Sequence, residues 1–366
     1  MEGIRNSALL ELQLVVTGAH LSPEFGLTYQ HIEADGFTID RKVEMLLSSD
    51  TAVGISKSVG LAITGLAEAF DELKPDIVLL LGDRYEIWAA GAAATLARIP
   101  IAHIHGGELT QGAIDEAIRH GITKMAHWHF VSAPEFQQRV IQLGESPDSV
   151  FNVGAVGLDS IARDPLMGLD ELQSSLGVQL GERNLLVTFH PVTLESGSAN
   201  SQMEFLLNAL EAFPEISTFI TLPNADMEGR GVISLIQDYV ARTPRAAAFT
   251  SLGQIRYHSL MHYADGVVGN SSSGLIEAPA MHKPTVNIGS RQNGRLHAAS
   301  VIDCDPETGS IIKAIQTMYS ADFQATLTTV VNPYGLPGAS AKAVEILESA
   351  SLEGVLMKRF YDLQPW

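Results

Sequence analysis

The chain has a single cysteine, Cys304. An intramolecular disulfide is therefore impossible, a metal site built on cysteines is disfavoured, and a reduced, cytoplasmic compartment is the expectation. Positive charge is also scarce. Lys and Arg number 23 against 42 Asp and Glu, for a formal net charge of -19. A general nucleic-acid binder carries a basic face, and no Lys/Arg-rich run supplies one. A negative average still leaves room for a local positive pocket that takes phosphate. No continuous apolar run reaches the roughly 18 residues that span a bilayer, so no membrane partner is expected. Residues Met1 to Leu12 lack the apolar stretch of a secretory signal. The chain has no phosphate loop of the G-x-x-x-x-G-K-[ST] form and no G-x-S-x-G nucleophile elbow. It also has no internal repeat and no low-complexity tract.

What is present reads as a two-domain α/β protein. The 366 residues exceed what one core usually holds, and 46% hydrophobic with 18% charged residues is a globular composition. Short apolar runs alternate with helical periodicity. Strands are predicted at Leu12–Thr17, Asp76–Leu81, Ile101–His105, His129–Ser132 and Val150–Val153. A second series falls at Leu185–Phe189, Thr218–Leu222, Ala246–Thr250, Gly266–Val268 and Thr285–Ile288. Continuous rather than alternating runs suit parallel strands covered on both faces. Helices are predicted over Ala52–Leu73, Glu86–Ala97, Ile114–Ala126, Pro134–Leu143, Ser201–Ala212 and Gly231–Ala241. A polar stretch at Asp159–Gly181 marks the break. The predicted domains are residues 1–160, completed by a C-terminal helix at 346–366, and residues 161–345. Each is a Rossmann-like unit with a parallel sheet, and α/β sheets bind ligands beyond the carboxyl ends of their strands. A cleft between the two is the predicted site. Met1–Glu11 reads as a helix running straight into the first strand, so the strand that normally opens such a unit is absent or shortened.

Candidate chemistry clusters at the predicted strand ends. Gly82-Asp83-Arg84-Tyr85-Glu86 follows one strand. Asp83 is placed to act as a general base or to orient a hydroxyl, and equally to cap the helix near Tyr85. His103-Ile104-His105-Gly106-Gly107-Glu108 ends the next strand. Alternation puts His103 and His105 on one face. A buried hydrogen-bonded histidine pair and a catalytic His105 with Glu108 both fit. Two histidines and a glutamate also suit zinc, but no distinctive ligand motif accompanies them. Asp115 and Arg119 open a helix four residues apart and so share a face. A second carboxylate near Asp83 would equip the site to move protons on and off carbon. In the second half, His190 ends a strand in a position to meet a diphosphate. Gly269-Asn270-Ser271-Ser272-Ser273-Gly274 leads into Glu277, and hydroxyls with free N–H groups at a helix start form an anion site. Arg291 sits in Gly289–Arg295, the one concentration of positive charge near these segments, and suits phosphate oxygens. Asn224 follows a strand, as a ligand contact or as a plain turn.

Taken in order, GDRYEI at 82–87, HIHGGELT at 103–110, DEAIRHGITKM at 115–125, RVIQLGE at 139–145, FHPVT at 189–193, GNSSSGLIEAP at 269–279 and GSRQNGR at 289–295 resemble the UDP-N-acetylglucosamine 2-epimerase family, and specifically its hydrolysing branch. The resemblance runs from about Leu12 to beyond Pro333. It implies a glycosyltransferase-B-like pair of domains, a homo-oligomer, a UDP-sugar substrate, and catalysis without metal or nicotinamide. It places Asp83 and Asp115 at catalytic carboxylate positions. Another catalytic position, Glu in some members, is His105 here, with Glu108 close by as an acid/base. It assigns His190, Ser271, Ser272 and Glu277 to UDP. Family members also open with a strand and an Arg-bearing loop that this sequence lacks before Leu12, which predicts a first sheet short of a strand near its middle.

Overall fold

The structure, a computed structural model, describes residues 1–49, 51–110, 114–190, 199–223 and 229–363. Two compact units emerge: Met1–Gly154 with Gly338–Trp366, and Ala155–Pro337. Both are α/β with parallel strands throughout.

The first unit holds β1 (Val15–Thr17), β2 (Arg41–Val43), β3 (Val78–Leu81), β4 (Ile101–Ile104), β5 (Trp128–Val131) and β6 (Val150–Asn152). They form two separate ladders, β1-β2 and β3-β4-β5-β6, and among the described residues no ladder joins the pieces. The sheet is thus split on one side of β3. The N-terminal segment differs from the sequence reading. Its helix covers only Glu2–Arg5, and β1 begins at Val15. The Ser7 hydroxyl accepts from the N–H groups of Leu9 and Leu10, which turns the chain out of the helix well before Glu11.

The helix Ala52–Leu73 backs both ladders. Thr51 caps it by accepting from the Gly54 N–H at 3.1 Å. Ser58, Ala62, Leu66, Ala69 and Phe70 form its buried stripe, which shares a core with Val43, Val78 and Leu80. By length and composition alone this helix would cross a membrane. Lys57 and Glu68 interrupt it in sequence, and the one-sided stripe is that of a helix packed on a sheet. The C-terminal helix spans Ala339–Ser349 rather than 346–366. Ala350 is extended and Gly354 takes φ +70°, so the chain beyond continues as a non-helical strap. Lys358 anchors that strap, donating to the carbonyls of Lys124 and Ala126 at 2.9 and 2.6 Å.

The second unit carries β7 (Arg183–Thr188), β8 (Ile216–Thr221), β9 (Ala246–Phe249), β10 (Gly266–Gly269), β11 (Thr285–Ile288) and β12 (Val301–Cys304), in the order β12-β11-β10-β7-β8-β9. The segment Asp159–Gly181 lies in this unit and forms the helices Leu158–Arg163 and Leu169–Leu176. Leu185, Leu186 and Val187 are fully buried, because helices cover both faces of β7. Each such side chain contributes about 1.5–3 kcal/mol. The chain order reverses between β7 and β10, and a doubly wound sheet opens its ligand crevice at such a reversal.

Candidate functional site

In the first unit two neighbouring strand tips are tied by one buried cation. Arg119, on the helix Asp115–Met125, is 1% exposed. Its guanidinium donates to the Asp83 carboxylate, to Thr110 Oγ1 at 2.8 Å and to the Glu108 carbonyl at 2.8 Å. Asp83 follows β3, and Glu108 follows β4. Asp83 is therefore not the helix cap: Arg84 takes that position, with no side-chain cap. A buried guanidinium is a far stronger partner for a carboxylate than backbone N–H groups at a half-exposed helix end. Arg119 also contacts the Glu116 carboxylate, at 3.5 Å. Asp115 is half-buried and makes no ion pair among the described residues. The i,i+4 spacing put Asp115 and Arg119 on one face, but the guanidinium reaches back to i−3 and across to Asp83. Glu116 also accepts from the Thr110 N–H at 2.6 Å and lies 3.3 Å from His120 Nε2, so it braces the loop after β4.

His103 and His105 do not form a pair on one face. β4 ends at Ile104, and His105 adopts φ +65°, a left-handed conformation that non-glycine residues seldom take. Its N–H still bonds the Phe130 carbonyl at 2.8 Å, which holds it there. His103 is fully buried beside the Gly82 carbonyl, 2.8 Å from Nε2. Burial lowers its pKa to about 4, so the ring is neutral and Nε2 carries the hydrogen that this carbonyl accepts. His105 Nδ1 instead meets Glu108 Oε1 at 2.5 Å. Glu108 is 6% exposed, and Ser132 Oγ donates to the same oxygen at 2.7 Å. Gly107, at φ +78°, is required here: a Cβ would lie 2.5 Å from the Phe136 carbonyl oxygen.

In the second unit the ends of β7 and β10 are clamped together. Asn270 Oδ1 accepts from the His190 N–H at 2.7 Å, and Asn270 Nδ2 donates to the His190 carbonyl at 2.8 Å. The Asn270 carbonyl accepts from Arg291 Nη1 at 2.8 Å and from the buried Gln292 Nε2 at 2.7 Å. This arrangement brings His190, the 270–273 loop and Arg291 to one place. Ser272 holds the N-cap position of the helix Ser273–Ala280, with no side-chain cap bond. Ser273 Oγ lies 3.0 Å from Ser271 Oγ and 2.6 Å from the Tyr257 hydroxyl. The chain of hydroxyls continues through Thr188 to Thr221. Glu277, one turn along, faces His258 Nε2 at 3.5 Å. Gly269 takes φ +141°, and any Cβ there would overlap the Thr188 carbonyl, so the close approach of the two strand ends depends on glycine. Asn224 lies outside the described residues.

Sequence reasoning missed four contributors: Glu116, Ser132, Asn270 and Tyr257. Asn270 sits inside a motif already noted, and an Asn just after a strand is the one local signal among them, since its amide can bond backbone on a neighbouring chain. Ser132 and Tyr257 act through partners distant in sequence, and Glu116 through a loop and helix neighbours within six positions of it.

Residues 2–348 match the family described as UDP-N-acetylglucosamine 2-epimerase. A Campylobacter jejuni protein named GDP/UDP-N,N'-diacetylbacillosamine 2-epimerase (hydrolyzing) is 39% identical over 362 residues, covering 98% of this chain and 94% of the relative. The Escherichia coli polysialic acid biosynthesis protein P7 is 36% identical over 361 residues, covering 98% and 92%. The crystal structure of UDP-GlcNAc 2-epimerase from Neisseria meningitidis bound to UDP-GlcNAc superposes with a TM-score of 0.83 at 19% identity, covering 95% of this chain and 94% of that one. At that identity the likeness speaks to the fold alone.

Proposed function

This chain belongs to the UDP-N-acetylglucosamine 2-epimerase family, in its hydrolysing branch, and from that premise we propose that it converts UDP-GlcNAc and water to UDP and N-acetylmannosamine. The observation that carries the proposal is the Arg119 bridge, which draws Asp83 and the Glu108 loop into one group of proton-transfer side chains at two adjacent strand tips.

The chemistry is anti elimination followed by hydration. A base removes the C2 proton while the C1–O bond to UDP breaks, leaving a glycal. Water then adds its oxygen at C1, and C2 is reprotonated on the opposite face. C2–H is a poor acid, so the groups that take and give protons must be held in place beforehand. Asp83 and Asp115 do the proton work in this reading, with His105 and Glu108 beside them. A guanidinium on Asp83 favours the ionised, proton-accepting form. The leaving diphosphate needs cationic and N–H partners. His190, Ser271, Ser272, Ser273 and Arg291 supply them, and Glu277 accepts from the ribose. The resemblance also supports a homo-oligomer, which sedimentation analysis tests.

The name of the Campylobacter relative favours a second reading, the same chemistry on a UDP-linked 2,4-diacetamido-2,4,6-trideoxyhexose. A methyl or acetamido group in place of a hydroxyl is discriminated by pocket shape, worth about 1–3 kcal/mol. Turnover of the two UDP-sugars side by side decides: release of UDP with a 2-epimerised free sugar from one and not the other names the substrate. Release of UDP with an unchanged C2 configuration overturns both.

A further inference from the structure

We propose that His105 carries a proton in the reaction and that Ser132 is a positioning residue, which acts through Glu108 to set the tautomer and basicity of His105. The proposal rests on the preceding reading for the reaction itself, but not for the state of the ring.

Three observations converge on it. First, Glu108 is buried at 6% exposure, and its Oε1 is taken by two partners, His105 Nδ1 at 2.5 Å and Ser132 Oγ at 2.7 Å. A carboxylate so engaged is poorly placed to exchange protons with a sugar. It is well placed to hold an imidazole, as a buried acid does whenever it accepts from a ring N–H. An ionised carboxylate only accepts, so Nδ1 must carry a hydrogen. The proton-exchanging nitrogen is then Nε2, which has no hydrogen-bond partner among the described residues. Secondly, the backbone is built to hold this arrangement. His105 is kept at φ +65° by its N–H bond to Phe130, the carbonyl of Glu108 is held by Arg119, and Arg139 donates to the carbonyl of Gly107. A left-handed non-glycine residue costs on the order of 1–3 kcal/mol and persists where the surroundings impose it. Here the left-handed turn takes the His105 side chain out of strand alternation and onto the carboxylate. Thirdly, Ser132 is 1% exposed at the end of β5, and its hydroxyl has no solvent-facing role.

The charged and titratable groups around His105 come from each neighbouring element. Glu108 follows its own strand, and His103 within that strand is neutral. Arg119 holds the Glu108 carbonyl and bonds Asp83. Arg139 comes from the helix Pro134–Gln142, and His129 from β5. Glu108 contacts the ring directly. Removing the Ser132 hydroxyl leaves the carboxylate charge less shared. It becomes a stronger acceptor for Nδ1–H and stabilises the imidazolium, so the His105 pKa rises.

The test reads the ring itself. Imidazole nitrogen NMR of the full chain without substrate, across pH, gives the tautomer and pKa of His105. The expected neutral form carries its hydrogen on Nδ1. In Ser132→Ala the pKa moves up by about half a pH unit or more, Ser132→Thr returns it, and Glu108→Gln moves it down. In turnover, Ser132→Ala lowers kcat about tenfold, part of the ~10²–10⁴ that a placed proton carrier supplies, and leaves KM within about threefold. A neutral ring protonated on Nε2, a pKa unmoved in Ser132→Ala, or a loss confined to KM overturns the proposal. A wild-type chain that releases UDP from neither sugar sinks the enzymatic reading instead, and the NMR arm still decides whether Ser132 controls the ring.

Discussion

Replacing Arg119 with lysine keeps the charge and removes the fork. A guanidinium with several N–H groups reaches Asp83, Thr110 and the Glu108 carbonyl at once. A lysine ammonium on a flexible stem keeps at most one of these in place. Hydrogen bonds involving a charged group contribute about 1.5–3 kcal/mol each, and stranding one member of a buried ion pair costs about 3–5 kcal/mol. The Asp83 side chain is 26% exposed, so water offsets part of that loss. A net cost of about 3 kcal/mol remains, shared between stability and transition-state binding. If most of it falls on the reaction, kcat/KM drops by about 10²-fold. A coupled assay of UDP release, run beside thermal unfolding of Arg119→Lys, separates the two shares. A variant within about threefold of wild type in kcat/KM and unchanged in Tm would refute the idea that this side chain joins the strand tips.

Other consequences are independent of that bridge. Burial raises the pKa of Glu145, but hydrogen bonds from His129, Lys124 and Lys358 outweigh it and hold the carboxyl at about 2, against 4.5 ordinarily. A depressed folded pKa adds stability that is complete above the unfolded value and is lost as pH falls from about 4.5 towards 2. The difference corresponds to about 3 kcal/mol. Urea unfolding of wild type should weaken over that window, while Glu145→Gln starts weaker at neutral pH and changes less; equal slopes count against the cluster. Gly269→Ala forces a side chain onto the Thr188 carbonyl, and should lower Tm and weaken UDP binding together by calorimetry. Asn270→Ala removes the reciprocal bonds to His190 at about 1–3 kcal/mol. Its UDP affinity should fall about tenfold or more, and an unchanged Kd would show that the clamp does not shape the nucleotide site.

Much of this architecture was readable from periodicity. The strand-and-helix alternation and the position of reactive residues just past strand ends follow from apolar runs closed by glycines, as at Gly82-Asp83 and Gly106-Gly107. The partners of those residues were not readable. Arg119 and Asp83 are 36 positions apart, and helical spacing alone could not choose Glu116 or Asp83 over Asp115. Strand alternation failed at His105 because the ladder stops one residue earlier and the backbone turns left-handed. Asp83 is a good cap by residue type, yet a buried guanidinium outcompetes backbone donors for it. Ser132 and Tyr257 matter only through hydroxyl contacts across the fold, which leave no periodic trace.

The most direct test of the chemistry is the fate of one hydrogen. With UDP-GlcNAc as substrate in D2O, elimination and rehydration predict N-acetylmannosamine bearing deuterium at C2, alongside free UDP. N-acetylmannosamine that keeps its original C2 hydrogen would contradict proton abstraction by the carboxylates at these strand tips.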